Sequence, residues 1–287
     1  MFYWIYDVPT WYLAFLLAML FVGFTWVGTI LIRPFLRLLV RRQPNLNDLV
    51  GYILGAYGVF YGLLLGLIAV ATYENSSDAE ATVEQEAAAL SALYRAVSHY
   101  PEPERSPLQA ALRDYTRHVI QDGWPAYRRG VNPPESVAKV TAFQDLLYAF
   151  EPRTKGQELV HGETLRLGSE WVNARRLRLG QISAGIPPVL WYVVFAGAVL
   201  NIILIWAFEM RLALQLILGG LLALFMSMMV FVIAVLDNPF RGEVSVGPDA
   251  FVVVYERIMK PAGAGDAPEA PPASPPALPA ASAAARP

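Results

Sequence analysis

Five carboxylates, Glu74, Asp78, Glu80, Glu84 and Glu86, fall between an apolar run that ends at Thr72 and the next basic residue, Arg95. Carboxylates at this density supply the hard oxygen ligands that a divalent cation takes, for instance around an oligomer axis. A helix also carries such a run as a plain solvated face, and its dipole favours the charges if the helix starts there. Just upstream, Phe60, Leu64, Leu67 and Ala71 share one helical face, which Glu74 and Asp78 continue if the helix is straight. An apolar constriction with a carboxylate ring at its mouth is one way a channel gates and selects. Read that way, Phe60, Leu64, Leu67, Glu74 and Asp78 are pore-lining candidates. The bland reading of the same face is contact with lipid or with neighbouring spans.

Other chemistry is sparse. His99, His118 and His161 lie far apart, and Glu158 with His161 forms a single Glu-x-x-His pair where a di-metal bundle site needs two. Cysteine is absent, which excludes disulfides, thiolate metal sites and cysteine nucleophiles. There is no Gly-x-Ser-x-Gly, phosphate loop or dinucleotide fingerprint. The expectation is therefore no catalytic residue, no metal and no cofactor, and a chain that is not an enzyme. A net charge of −2 gives no electrostatic case for a nucleic-acid partner. Asn201 and Gln215, inside apolar segments, read as hydrogen-bonding partners between helices. Arg175, Arg176 and Arg178 stand just ahead of another apolar run and suit lipid headgroups or an anion, or else form a solvated helix end.

The elements that must position these residues are four apolar segments. The chain is 55% hydrophobic and only 16% charged, against about 25% charged in soluble domains. The deficit is concentrated in those segments, so the chain reads as an integral membrane protein whose first partner is the lipid bilayer. Span one covers residues 11–32, preceded by the aromatic belt of Tyr3, Trp4, Tyr6, Trp11 and Tyr12. With no Lys or Arg ahead of it, it reads as an uncleaved span. Arg33, Arg37, Arg41 and Arg42 follow, interleaved with apolar residues as in a helix lying in the interface, and Asn47 or Asp48 is placed to cap span two.

Span two, residues 50–72, carries Gly51, Gly55, Gly58, Gly62 and Gly66 on the face opposite Phe60. Such a stripe lets a second helix approach closely, so these are helix-packing candidates. Beyond Thr72, either one helix continues to about residue 100, roughly 75 Å in all, or a serine in Asn75–Ser77 caps a new one.

Residues 73–185 show no strand-like alternation. Ser106-Pro107 reads as N-cap and first helical position, Asn132 to Glu135 opens another helix to about Phe150, and Thr154 caps a last one to about Ile182. Span three (187–208) and span four (212–236) are joined by only Glu209, Met210 and Arg211. The expected fold is thus an all-α membrane protein. Its domains are a first transmembrane hairpin (1–72), an all-helical extramembrane insert (73–185), a second hairpin (186–236), a post-membrane segment (237–260) and a disordered Ala/Pro-rich tail (261–287). The four arginines between spans one and two, with none in the N-terminal tail, put the short connectors in the cytoplasm and the insert in the periplasm. The membrane is then the inner membrane of a bacterium.

Leu236-Asp237-Asn238-Pro239-Phe240-Arg241-Gly242, followed by Asp249-Ala250-Phe251 and Glu256-Arg257-Ile258, resembles the post-membrane stretch of the bestrophins. Asn47-Asp48-Leu49-Val50-Gly51-Tyr52 and Leu90-Ser91-Ala92-Leu93-Tyr94-Arg95 are similar to the bestrophin-like family of bacterial membrane proteins, over about residues 30–260. Bestrophins are pentameric anion channels whose second span forms an apolar neck. The resemblance therefore implies a homo-oligomer (a pentamer), inorganic anions as partners, Phe60, Leu64 and Leu67 in the neck, and Asp237, Asn238, Pro239 and Phe240 as the post-span motif, with Asp237 and Asn238 in the region that forms a calcium clasp in animal members. Two departures stand out. Arg241 occupies the place of a glycine, and no run of acids surrounds Asp237. Bestrophins also keep their helical domain in the cytosol, opposite to the arginine-based placement. The alternative function is a non-conducting scaffold or envelope sensor acting through the insert.

Overall fold

A computed structural model describes residues 3–32, 34–35 and 45–260. The connector arginines and the Ala/Pro-rich tail, with the expectations attached to them, lie outside the described residues. Nine α-helices are described: α1 (Thr10–Leu31), α2 (Leu46–Val97), α3 (Arg105–His118), α4 (Trp124–Tyr127), α5 (Glu135–Tyr148), α6 (Lys155–Gln181), α7 (Pro188–Ala207), α8 (Leu212–Leu236) and α9 (Asp249–Val254). A π-helical turn, Val119–Gly123, carries α3 into α4, and a second, Tyr255–Met259, follows α9. No strand occurs among the described residues. Four of the helices, α1, α2, α7 and α8, are long and apolar enough to cross a membrane.

The 52 residues of α2 form one helix, about 78 Å long at 1.5 Å per residue. It passes through Asn75–Ser77 without a break, so the continuous reading holds. The sequence explains why: between Gly66 and Val97 there is no glycine or proline to stop it. Its buried positions form one stripe. Tyr61, Leu65, Ile68 and Thr72 are followed by Ala79, Val83, Glu86, Leu90, Leu93 and Val97, all at helical spacing. The upper part of that stripe packs on α7 and α8 in a core with Phe21, Val194, Ile202, Trp206 and Ile233. The lower part packs on α6, α3 and α9 in a second core with Tyr115, Phe143, Trp171, Phe240 and Phe251. One rod thus belongs to both cores.

In the spanning part, α1 packs chiefly on α8 rather than on α2, its neighbour in sequence. Close approaches are made by aromatic side chains lying on glycines. A Cβ on Gly28 would overlap Trp206, one on Gly197 would overlap Tyr61, and one on Gly220 would lie 2.9 Å from Trp26. Each ring anchors itself on a neighbouring backbone: Trp206 Nε1 donates to Thr25 O (3.0 Å), Tyr61 OH to Val194 O (2.8 Å), and Trp26 Nε1 to Leu216 O (2.9 Å). Gln215 Nε2 donates across to Ile205 O (3.0 Å), the interhelical role expected of it. Asn201 is buried but makes no such bond among the described residues.

In the insert, Thr154 caps α6 by accepting from Gln157 N (3.2 Å), as the sequence suggests. Two other caps differ. Helix α3 begins at Arg105, and Ser106 donates to Glu102 instead of capping. Asn47 lies inside α2 and exchanges two bonds of 2.8 Å with the backbone of Glu209, fastening the start of α2 to the short connector between α7 and α8. The centre of the insert holds an ion pair sealed from solvent. Arg178 Nε donates to Glu86 Oε2 (2.5 Å), both side chains are 0% exposed, and Tyr115 OH donates to Glu86 Oε1 (2.6 Å). The guanidinium lies 4.8 Å from the Tyr127 ring centroid and 5.4 Å from those of Trp124 and Phe251. Burial by itself would lower the Arg178 pKa, but the facing Glu86 carboxylate and the Tyr127 and Tyr115 hydroxyls together outweigh it and hold the guanidinium charged.

Removing one partner of such a pair leaves the other charge buried without its hydrogen-bonded counter-ion, at a cost of about 3–5 kcal/mol. Arg178→Met is expected to lower the unfolding free energy of the detergent-solubilised protein by that order. Adding Glu86→Gln to it is expected to restore part of the loss. Equal losses in the single and double variants would show that the pair is not coupled.

Candidate functional site

Within one chain, α2 has four distinct membrane-level faces. The packing face carries Tyr61, Leu65 and Ile68. The glycine stripe and the Phe60 face flank it, each about a quarter-turn away at 100° per residue. On the Phe60 face, Phe60 is 73% and Leu67 62% exposed, whereas Leu64 is partly buried against the protomer's own core. Glu74 and Asp78 are both exposed further along. The structure therefore brings Phe60 and Leu67 to an open surface and turns Leu64 partly inward. Between the two flanks, opposite the packing face, Tyr52, Val59, Leu63 and Val70 are exposed as well.

The glycine stripe is open. A Cβ on Gly55, Gly58, Gly62 or Gly66 would meet nothing within 4 Å, and one on Gly51 would reach only Phe208, at 3.7 Å. Among the described residues, Gly55, Gly58, Gly62 and Gly66 seat no neighbouring side chain, in contrast to Gly28, Gly197 and Gly220. A glycine in an apolar spanning helix gives up side-chain packing, and here no close approach within the protomer takes its place.

The post-membrane segment is a junction. Asp237, at the end of α8, accepts from Ile186 N (2.7 Å) with Oδ1, and from Trp191 Nε1 (3.3 Å) and Asn238 Nδ2 (3.3 Å) with Oδ2. Asn238 Nδ2 also donates to Tyr6 OH (2.7 Å). One carboxylate thus ties the end of α8 to the lead-in and first turn of α7, and its neighbour reaches the N-terminal turn. Arg241 Nη2 donates to Arg129 O (3.0 Å) in the insert, beside Gly130, whose φ of 73° needs glycine and whose Cβ would overlap the guanidinium. Gly242, at φ 86°, makes the next turn, and Glu243 accepts from Thr10 N (3.0 Å) and Thr10 Oγ1 (2.7 Å) at the start of α1. Phe240 is 1% exposed among Trp124, Tyr127 and Phe251. The turn from Asp237 to Glu243 therefore joins α1, α7, α8 and the insert.

Both Asp237 oxygens are aimed at N–H donors, an arrangement for holding backbone rather than a cation. No group of three or more potential metal-ligating side chains occurs among the described residues. The histidines are separate: His161 meets Tyr100 OH (2.7 Å), His118 meets Asp122 (3.0 Å) and His99 meets Arg95 O (3.0 Å).

Two expectations need correction. The carboxylate run is not one solvated face, because Glu86 is fully buried; nor are the arginines before α7 a solvated or lipid-facing end, because Arg175 and Arg178 are buried and only Arg176 is exposed. A signal for Glu86 was present. It falls in the apolar series Val83, Leu90, Leu93, Val97 at steps of three and four, whereas Glu80 and Glu84 fall outside it.

Burial raises the Asp237 pKa above its ordinary value, only partly offset by the bonds from Ile186 and Trp191. A raised carboxylate pKa makes the native state hold the proton more tightly than the unfolded chain. The resulting stabilisation is complete below the ordinary carboxylate value and is lost as pH rises through the raised one. Wild type is therefore expected to gain thermal stability relative to Asp237→Asn as pH falls through that window. A difference that stays flat with pH would show that Asp237 does not titrate this way.

The sequence matches the bestrophin-like domain family over residues 19–251. No curated protein matches the sequence. Among solved structures, a bacterial bestrophin homologue from Klebsiella pneumoniae, carrying one substitution, superposes with a TM-score of 0.56 at 12% identity, over 83% of this chain and 97% of that one. A second, described only as a membrane protein variant, superposes with a TM-score of 0.54 at 11% identity, over 82% and 97%. At such identities the structures speak to the fold. The family match covers most of the sequence, and with its four apolar helices the chain is a membrane protein that belongs to the bestrophin-like family.

Proposed function

We propose that the chain assembles as a homo-oligomer around α2 and forms an ion channel, with residues 1–72 and 186–236 as its two transmembrane hairpins and residues 73–185 as a helical vestibule. The observation that carries this reading is the surface of α2. A membrane-spanning helix leaves a glycine stripe and an apolar arc uncovered in the single chain, then runs unbroken into the insert core. A neighbouring copy seated on Gly55, Gly58, Gly62 and Gly66 would fill the stripe. The arc from Phe60 to Leu67 would then line the axis as an apolar neck.

Membership of a family of anion channels makes inorganic anions the first choice of permeant ion, and five-fold assembly the first choice of stoichiometry. Glu74 and Asp78 oppose anions if they face the axis, because carboxylate rings favour cations. A second lining is favoured by the position of the packing face. Directly opposite it lie Val59, Leu63 and Val70, and with those on the axis Phe60 and Leu67 would meet the glycine stripe of the next copy. The alternative of a non-conducting scaffold predicts no flux at all. By the arginine bias of the connectors, the protein sits in the inner membrane with its insert in the periplasm.

Purified protein in liposomes is expected to pass ions under an asymmetric salt gradient, with Phe60→Ala and Leu64→Ala raising the flux if their face is the neck, and Leu63→Ala raising it if the opposite lining is correct. Reversal potentials give the sign of the permeant ion. Gly58→Leu with Gly62→Leu is expected to abolish both the oligomer in native mass spectrometry and the flux. An unchanged oligomer would remove the stripe from the interface, and no flux in any variant would leave the scaffold. A reporter active only in the periplasm, fused after Arg286, is expected to be active; silence beside an active cytoplasmic reporter would invert the orientation.

A further inference from the structure

Trp171, Arg175 and Arg178 recur on α6 at steps of four and three, so they leave one face of the helix a turn apart. All three are buried, and each holds a donor with no acceptor among the described residues: Trp171 Nε1, Arg175 Nε and Arg178 Nη1. Indole and guanidinium groups only donate, so all three lack the same thing. The acceptors that reach this cluster each hold at least one bond already. Glu86 gives one oxygen to Tyr115 and the other to Arg178 Nε, and Ser136 Oγ accepts from Arg175 Nη2 (2.9 Å) while donating to Pro133 O (2.8 Å).

The charges do not balance either. Arg175 and Arg178 set two positive charges against the single carboxylate of Glu86, and both guanidinia lie within electrostatic reach of the Tyr115 hydroxyl. An uncompensated buried charge is costly. Compensation requires one negative charge on a group that accepts hydrogen bonds and need not donate any.

We propose that the core of the extramembrane bundle binds one small monovalent anion of the halide class between Arg175 and Arg178, with Trp171 as a further donor. The site is distinct from any ion path along α2, because its three donors lie on the buried face of α6. Burial of all three donors favours a small ion that sheds its water and disfavours bulky organic anions. The inference does not rest on the channel reading, since a non-conducting scaffold would carry the same site.

The test uses the full chain in detergent micelles. Sodium chloride is titrated against sodium gluconate at constant ionic strength, and thermal unfolding is followed. Chloride is expected to raise Tm saturably, by about 5 °C at a hundredfold excess over Kd. Arg175→Met, which keeps the packing of the stem, is expected to abolish the chloride dependence, and Trp171→Phe to weaken chloride binding severalfold. Bromide diffused into crystals is expected to give an anomalous peak between the two arginines. Equal Tm values in chloride and gluconate would overturn the proposal. So would a chloride dependence that survives in Arg175→Met, or in Trp171→Phe at unchanged affinity should Arg175→Met fail to fold. A bromide peak found only elsewhere, with a neutral water between the arginines, would do the same.

Discussion

A carboxylate and a guanidinium closed off from water set the geometry of the extramembrane bundle. Glu86 stands on α2 and Arg178 on α6, 92 residues apart in sequence. Each charge is far too costly to bury alone, so their helices must align to within hydrogen-bonding tolerance. The aromatic rings around Arg178 come from α4 and α9, and the phenol on Glu86 from α3. Five helices therefore converge on one pair. A pair of this kind adds little net stability compared with an apolar core, but separating its two partners is costly.

That core and the membrane core share α2. The same rod carries Tyr61 and Leu65 in the membrane core and Leu90 and Leu93 in the insert core, with no glycine or proline between Gly66 and Val97 to act as a hinge. The turn from Asp237 to Glu243 supplies a second connection. It anchors α7, α8 and the start of α1 while placing Phe240 beside the rings that stack on Arg178. The acidic Pro-Phe segment, which in animal bestrophins belongs to a calcium clasp, here directs its carboxylate at N–H donors. It works as a mechanical joint between the spans and the insert.

The glycines divide by use. Gly28, Gly197 and Gly220 accept aromatic rings from neighbouring helices within the chain. The α2 stripe accepts nothing there. In lipid there is no hydrophobic drive to bring helices together, so close packing and hydrogen bonds from Trp and Tyr to main-chain oxygens hold the spans. The open stripe marks where that packing is left incomplete in a single chain.

Much of the architecture was legible beforehand because it is local. Apolar length and the helical period located the four spans, the absence of Pro and Gly after Gly66 allowed a continuous α2 beside the broken alternative, and Thr154 announced the start of α6. The Pro-Phe segment pointed to the family. Residue types along one helix cannot say which of its faces meets its own chain, because that depends on partners distant in sequence. Hence Leu64 turned partly inward, Glu86 left the solvated run it was grouped with, and Asn47 proved to be a tie to Glu209 rather than a cap. Arg175 and Arg178 looked like a charged helix end and are instead core residues. The sequence by itself determined an all-helical membrane protein with four apolar spans, since hydrophobic length and backbone propensity act within a segment. Only the tertiary structure decided which charges are buried and which glycines are already filled, because desolvation and close approach exist only once separate segments meet.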